Sequence, residues 1–250
     1  MKKTLVFLTT VILLIGLTML PISAQENQAN KMEEGKKLLD KWIAAQGGRE
    51  TLAKIKDSTS SGEMELISMG YSGTIIMYQK EPNKIRWDME IMGAMITQAF
   101  NGETGWMTNP QTGVTEEMTD QLMEEISRQG MGNDSLLNPD KYGITFTLEG
   151  QESIGGKDYL ILKQTFKDGF ENTFYIDPDT DLVYKSVAMA MSPMGFEVET
   201  ETFMSDFREV EGTMVPFSIT VTQEGEEFMS MTITEVKYNT GLEDSLFDME

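Results

Sequence analysis

The chain has 250 residues, 40% of them hydrophobic, with 41 acidic and 20 basic side chains for a formal charge of −21. That length holds one sizeable core and demands no second, and the charge repels phosphate backbones and anionic headgroups, which argues against nucleic acid and anionic membrane surfaces as partners. There are 21 methionines but no cysteine and no histidine, so no disulfide, thiolate or imidazole base is available.

The chain opens on Lys2 and Lys3, an apolar stretch over 5–20, and Pro21-Ile22-Ser23-Ala24 ahead of Gln25. This is the pattern of a signal peptide spanning 1–24, cut after Ala24; an uncleaved anchor is the alternative. Export then leads to an oxidising compartment. Without a cysteine the product carries no lipid at its new end, and no later stretch is long and apolar enough to span a bilayer, so a soluble, exported protein is expected. Residues 25–31 read as a polar linker. Leu38, Leu39, Trp42 and Ile43 then recur at helical spacing along a helix beginning near Met32 and ended by Gly47 and Gly48, and a second short turn over 49–56 carries Leu52 and Ile55.

From Ser58 the period changes to two. Strands are expected over 62–68, 72–80, 84–92, 95–101 and 105–108, joined by turns such as Glu81-Pro82-Asn83 and Asn101-Gly102. In the third of these, Ile85, Trp87, Met89 and Ile91 alternate with Arg86, Asp88 and Glu90. A helix over 115–129 interrupts the strands, with a cap at Thr115, Gly130 after its end and Met118, Leu122, Met123 and Ile126 on one face. Residues 131–142 are polar and turn-rich. Strands resume over 144–148, 158–166, 170–176, 182–191, 196–204, 214–222 and 228–238, followed by a short acidic tail over 243–250. The fold class is therefore mainly β: one long curved antiparallel sheet, unclosed and half-barrel-like, wrapped around the N-terminal helix, with one inserted helix. So many twisted strands must curl.

Curling around the helix leaves an apolar hollow on the concave face, the expected ligand site. Its lining is expected from Trp42 of the helix, Met64 and Leu66, Ile75 and Met77, then Ile85, Trp87, Met89 and Ile91. Phe100 and Trp106 continue it, and the second half of the chain adds Phe174, Met189, Met191, Phe217 and Ile219. The inserted helix, through Met118, Leu122, Met123 and Ile126 and between Gly113, Gly130 and Gly132, is the candidate lid. Each methylene removed from water is worth about 0.8 kcal/mol, so a sixteen-carbon tail gains roughly 12 kcal/mol gross. Binding is easy and release is the difficulty. Methionine, soft and unbranched, adapts to varied tails and repacks when they leave.

Blander readings stand beside these. Alternating Met and Ile is also ordinary core packing, the tryptophans serve equally as core aromatics, the inserted helix as a static cover, and Glu197, Glu199 and Glu201 as solvated surface. Met89-x-x-Met92-x-x-Met95 and Met189-x-Met191-x-x-Met194 offer thioethers to Cu(I), but strand alternation separates Met89 from Met92. Asp177-x-Asp179-x-Asp181 begins like a calcium loop yet has Leu182 where glycine is needed, and reads as a hairpin turn. No metal and no cofactor are expected. Gly-x-Ser-x-Gly elbows and phosphate loops are missing and no acid pair stands out, so an enzyme is not expected.

Two segments carry a family resemblance. Tyr78-Gln79-Lys80-Glu81-Pro82-Asn83-Lys84-Ile85-Arg86-Trp87-Asp88, then Phe100-Asn101-Gly102-Glu103-Thr104-Gly105-Trp106-Met107-Thr108-Asn109-Pro110, closely resembles the paired-strand signature of LolA-like outer-membrane lipoprotein-sorting proteins. Residues 175–183, and 203–216 with Phe207-Arg208, Val210, Gly212 and Pro216, look like that family's second half. The resemblance implies one LolA-like lipid- or lipoprotein-binding domain over 32–250: an unclosed β-barrel around helices, serving as a soluble periplasmic carrier. Such a carrier binds the acyl chains of lipoproteins or lipids and delivers them toward the outer membrane without catalysis. The partners implied are those acyl chains, membrane donor and acceptor proteins, and no nucleic acid, with the chain a monomer. The alternative is a sensor or scaffold module of the same fold that binds lipid or a protein without transport. A charge at Ile85 or Trp87 is expected to abolish loading or folding, and charge changes at Asp88 or Glu90 to do neither. Alternation places Arg86 on the outer face.

Overall fold

The structure, a computed structural model, describes residues 22–109, 112–192 and 196–249. Most of the expected signal peptide lies outside the described residues. The first helix, α1 (Ile22–Ala45), is longer than the sequence suggests, because its start at Ile22 absorbs the expected linker. The segment is polar but, apart from Asn27 and Asn30, built of helix-compatible Gln, Glu, Ala and Lys, with neither Gly nor Pro to stop it. Lys31 in this extension ion-pairs with Glu149. The helix ends as expected at Gly47 and Gly48, whose φ values of 126° and 86° few other residues adopt. A short α2 (Arg49–Lys54) follows.

The first run of strands is β1 (Asp57–Leu66), β2 (Tyr71–Lys80), β3 (Lys84–Ile91), β4 (Ala94–Phe100), β5 (Gly105–Thr108) and β6 (Thr115–Glu117). Helices α3 (Asp120–Gly130), α4 (Asn133–Leu137) and α5 (Pro139–Tyr142) come next. The second run is β7 (Thr145–Ile154), β8 (Lys157–Thr165), β9 (Glu171–Ile176), β10 (Val183–Met191), β11 (Glu197–Val210), β12 (Thr213–Gln223) and β13 (Glu226–Tyr238). Two expectations change here. Residues 115–117 pair with β5 as an edge strand, so the inserted helix starts at Asp120, and the turn-rich 131–142 holds α4 and α5. Thr115, Glu116 and Glu117 are suited to such an edge, β-branched and charged against further pairing.

Among the described residues all thirteen strands form one antiparallel sheet in the order β6-β5-β4-β3-β2-β1-β13-β12-β11-β10-β9-β8-β7. The chain enters this sheet at its middle, runs to the β6 edge, and must reach the β7 edge before it can return to β13 beside β1. The helices α3, α4 and α5 are that crossing, which is why the inserted segment spans the opening of the sheet.

On the inner face α1 packs against β7 and β8, and Leu38, Leu39, Trp42 and Ile43 join Phe146, Leu162 and Ile176 in the main core. The helix crosses β7 at Gly35, where a Cβ would stand 2.5 Å from the Phe146 carbonyl oxygen. Only hydrogen fits that contact, which no local sequence pattern announces.

Part of the outer face is covered as well. The supposed tail is docked there: Lys80 and Lys84 pair with Asp244 at 2.7 and 3.2 Å, the Arg86 guanidinium donates to the Leu246 carbonyl at 2.8 Å, and Phe247 is fully buried. Arg86 is outward as expected. Asp88, on the same face, accepts from Arg86 Nε at 2.9 Å and Thr97 Oγ1 at 2.8 Å, with its side chain only 15% exposed. The expectation that Asp88 tolerates charge change is therefore revised, while Glu90 is exposed as expected. Asp88→Ala is expected to cost about 1–3 kcal/mol by removing the carboxylate that accepts from Thr97 Oγ1 and Arg86 Nε, readable as a lowered urea midpoint; Glu90→Ala is expected to leave it unchanged.

Candidate functional site

Strand register shows which side chains share the concave face. The row Met204–Ile219–Met231–Met64–Gly73–Ile91 runs from the α1 core across five neighbouring strands to β3. Along β3 the same face continues through Met89 and Trp87 to Ile85, where α3 packs. Three zones follow from this geometry.

The first zone is solid. Trp42 and Phe174 belong to the α1 core, their rings 5.0 Å apart, so they fill the interior. The second is a methionine-rich patch: Met64, Ile75 and Ile91 are buried at its centre, with Leu66, Met77, Met89, Ile96, Met229 and Met231 half-buried around them. Of these, Ile96, Met229 and Met231 were not singled out from the sequence, although alternation in β4 and β13 carries the signal. In the third, Ile85, Phe100 and Trp87 lie under Ile126, Met118 and Met123. Met118 precedes α3, its N–H bonded to the Gly105 carbonyl at 2.9 Å, and Leu122 is half-buried outside this cluster. Ile219 keeps its inward place beside Met231 and Met204.

Of the remaining expected lining residues, Trp106, Met189 and Met191 sit on the other face. Trp106 pairs with Ala99 on the outer face, since Gly105 and Met107 take the inward positions opposite Phe100 and Gln98. Its indole N–H donates to the Phe247 carbonyl at 2.9 Å. Met189 and Met191 pair with Glu199 and Glu197, on the side of β10 opposite Ser186, Ala188 and Ala190. A register shift between Val183 and Lys185 sets that phase. Phe217, in phase with Ile219 on β12, is buried beneath the half-exposed Arg208 guanidinium, 4.5 Å from its centre. The Asp177–Asp181 segment is the β9–β10 turn, with Asp177 and Asp179 paired to Lys157.

Between α3, α4 and the inner face of β8–β11 lies a hollow of about 430 Å³, within the range that holds a small ligand. Its lining departs from the expected oiliness: Phe166, Phe170, Met131 and Leu136 are joined by Gln79, Gln164, Asn172, Ser186, Thr200, Thr202 and Arg128. Asn172 Oδ1 and Arg128 Nε in its wall, and Trp42 Nε1 in the core, are buried with no hydrogen-bond partner among the described residues. Such groups each cost about 1–3 kcal/mol.

The roof is fastened asymmetrically. Toward the first half of the sheet α3 is held by apolar contact; toward the second half it is held by polar bonds. Glu125 accepts the Met191 N–H at 3.1 Å, and Arg128 pairs with Asp168 at 2.9 Å while stacking on Phe170 at 4.1 Å. Below it, Glu81 in the β2–β3 turn accepts the backbone N–H of Asn133 and Asp134, and burial pushes its carboxyl above the ordinary value against those bonds. Asp134 accepts from Lys141, Tyr142 and Asn138, bonds that hold its carboxyl down at about 2.

A depressed carboxyl stabilises the fold above its unfolded value and loses that contribution as pH falls toward the folded one. Amide exchange protection of α4 and α5 is therefore expected to fall as pH drops from 3.8 to about 2. In Asp134→Asn the protection should be low throughout, without that pH dependence.

No family model matches the sequence, and no curated protein matches it. Solved structures do. A DUF1329 family protein from Desulfovibrio piger aligns over 86% of this chain and 97% of its own, with a TM-score of 0.59 at 16% identity. A domain provisionally designated an outer membrane lipoprotein-sorting protein domain, from Vibrio parahaemolyticus, covers 87% of this chain and 97% of its own, with a TM-score of 0.58 at 12% identity. A LolA superfamily protein from Nitrosomonas europaea covers 86% and 97%, with a TM-score of 0.57 at 14% identity. The chain has a LolA-like fold.

Proposed function

We propose that this LolA-like chain is a soluble periplasmic carrier that binds the acyl chains of a lipoprotein or lipid on its concave face and passes them toward the outer membrane. The observation that carries the reading is the methionine patch. Six of its apolar side chains are half-buried although they face inward, so the concave face retains hydrocarbon surface that a tail can cover. Contiguous apolar surface of this kind marks binding sites. Neighbours of the same fold include a lipoprotein-sorting domain and a LolA superfamily protein, which supports the choice of cargo.

The crossing segment serves as the lid. Its polar fastenings, Glu125 to Met191 and Arg128 to Asp168, exchange for water at small net cost, whereas its apolar seat on Ile85 and Phe100 does not. Opening therefore hinges on the β3–β5 side and parts at the β8–β10 side. Transfer then requires only an acceptor that binds the cargo better, with no nucleotide. The leader over 1–24 directs the chain to the periplasm, and no helix among the described residues is long and apolar enough to cross a membrane. The reading assigns no catalytic residue, no metal and no cofactor.

Native mass spectrometry of the exported protein, followed by organic extraction, tests the proposal. An adduct that extracts as an acylated species is the expected result. A clean apo mass, together with no uptake of an environment-sensitive apolar dye, would overturn it.

A further inference from the structure

The inner face changes character along its strands. Leu162, Phe174, Ser186 and Thr202 form one inward row, and the next row toward α3 reads Gln164, Asn172, Ala188 and Thr200. The core thus gives way to a tier of uncharged hydrogen-bonding side chains, and this tier is the floor of the 430 Å³ hollow. A hydrocarbon tail laid there would strip water from these groups and return nothing. The hollow suits a different part of the ligand.

Its charged side chains already have partners. Arg128 pairs with Asp168 at 2.9 Å, and Glu125 accepts from Met191 N–H at 3.1 Å and from Gln129 at 3.2 Å. Two buried polar atoms of the wall, the Arg128 Nε donor and the Asn172 amide oxygen, are unpartnered among the described residues. A group offering one acceptor and one donor, an amide or a hydroxyl, answers both. A phosphate or carboxylate answers the donor only, and brings a charge that no free cation among the described residues of the hollow balances.

The hollow also joins the methionine patch on one surface. Gln79 of its wall lies two residues from Met77 on the same face of β2, and Thr202 stands in the row Val221–Met229–Leu66. We infer that the hollow is a headgroup site: it binds the uncharged, hydrogen-bonding part of an amphiphile, an amide or hydroxyl group, while the acyl tail runs out over the methionines. This deepens the lipid-carrier reading and rests on it.

The test uses the full mature chain and four probes with the same palmitoyl-length tail: monopalmitoylglycerol, palmitoyl ethanolamide, palmitate and hexadecyl phosphate. Dissociation constants are measured by titration calorimetry below each probe's micellar concentration. The two neutral probes are expected to bind at least about tenfold tighter than the two anions. Asn172→Leu should erase that preference, and Thr202→Val, a milder change at the same floor, should reduce it, each with an unfolding midpoint near the parent's. Met89→Glu should weaken all four probes alike. Equal affinities across the probes, or tighter binding of an anion, overturns the headgroup assignment alone. Failure of every probe to bind overturns the carrier reading as well.

Discussion

Phe247→Ala is expected to destabilise the protein by about 3–5 kcal/mol, the cost of emptying a large aromatic site in a packed interior. Phe247 has no exposed surface, although it lies within three residues of the end of the chain. The strap that carries it is held to the outer face by the Trp106 indole, the Arg86 guanidinium and the Asp244 pair with Lys80 and Lys84. Losing the ring takes away the apolar contact that keeps those polar groups apposed, so the strap should lift as a unit. Tryptophan emission would then shift to the red as Trp106, 4% exposed in the intact fold, meets water. Met249→Ala, on a side chain already half exposed, should change stability by less than about 0.5 kcal/mol. A Phe247 variant as stable as the Met249 variant would mean that the strap is not part of the fold.

Sequence pattern reached most of the sheet, because period-two alternation is local and the strands obey it. Strands β2, β3, β5 and β8 begin and end within about a residue of where alternation puts them, and the half-barrel around α1 follows from their number. What pattern could not reach are facts of register. Trp106 looks like Trp87, but which way it points depends on how the loop over 101–104 sets β5 against β4; the Asn101 side chain closes that loop by accepting the Glu103 and Thr104 N–H groups. Met189 and Met191 turn outward because of one irregular residue, Tyr184, whose ring stacks on Tyr159 at 4.5 Å. The polar floor of the hollow was invisible for a similar reason: Gln164, Asn172 and Thr200 are unremarkable singly and become a tier only when three hairpins align them.

The methionine patch gives the second large effect, in a matched pair. Met89 and Met95 lie on opposite surfaces of the β3–β4 hairpin: Met89 pairs with Ile75 and Ile96 on the inner face, whereas Met95 pairs with Glu90 on the outer one. The same substitution to glutamate therefore asks one question twice. At Met89 the carboxylate would have to shed its water against a tail or hold the tail away, and either outcome should weaken binding of a palmitoyl probe by at least about tenfold, or 1.4 kcal/mol. At Met95, already 56% exposed, the new charge stays in water and affinity should hold within about twofold. Unfolding midpoints of both variants separate lost binding from lost fold, since Met89 is only half-buried and its replacement leaves the buried centre of Met64, Ile75 and Ile91 in place. Equal affinity losses in two stably folded variants would show that the tail does not lie on the concave face, because only that face tells the two methionines apart.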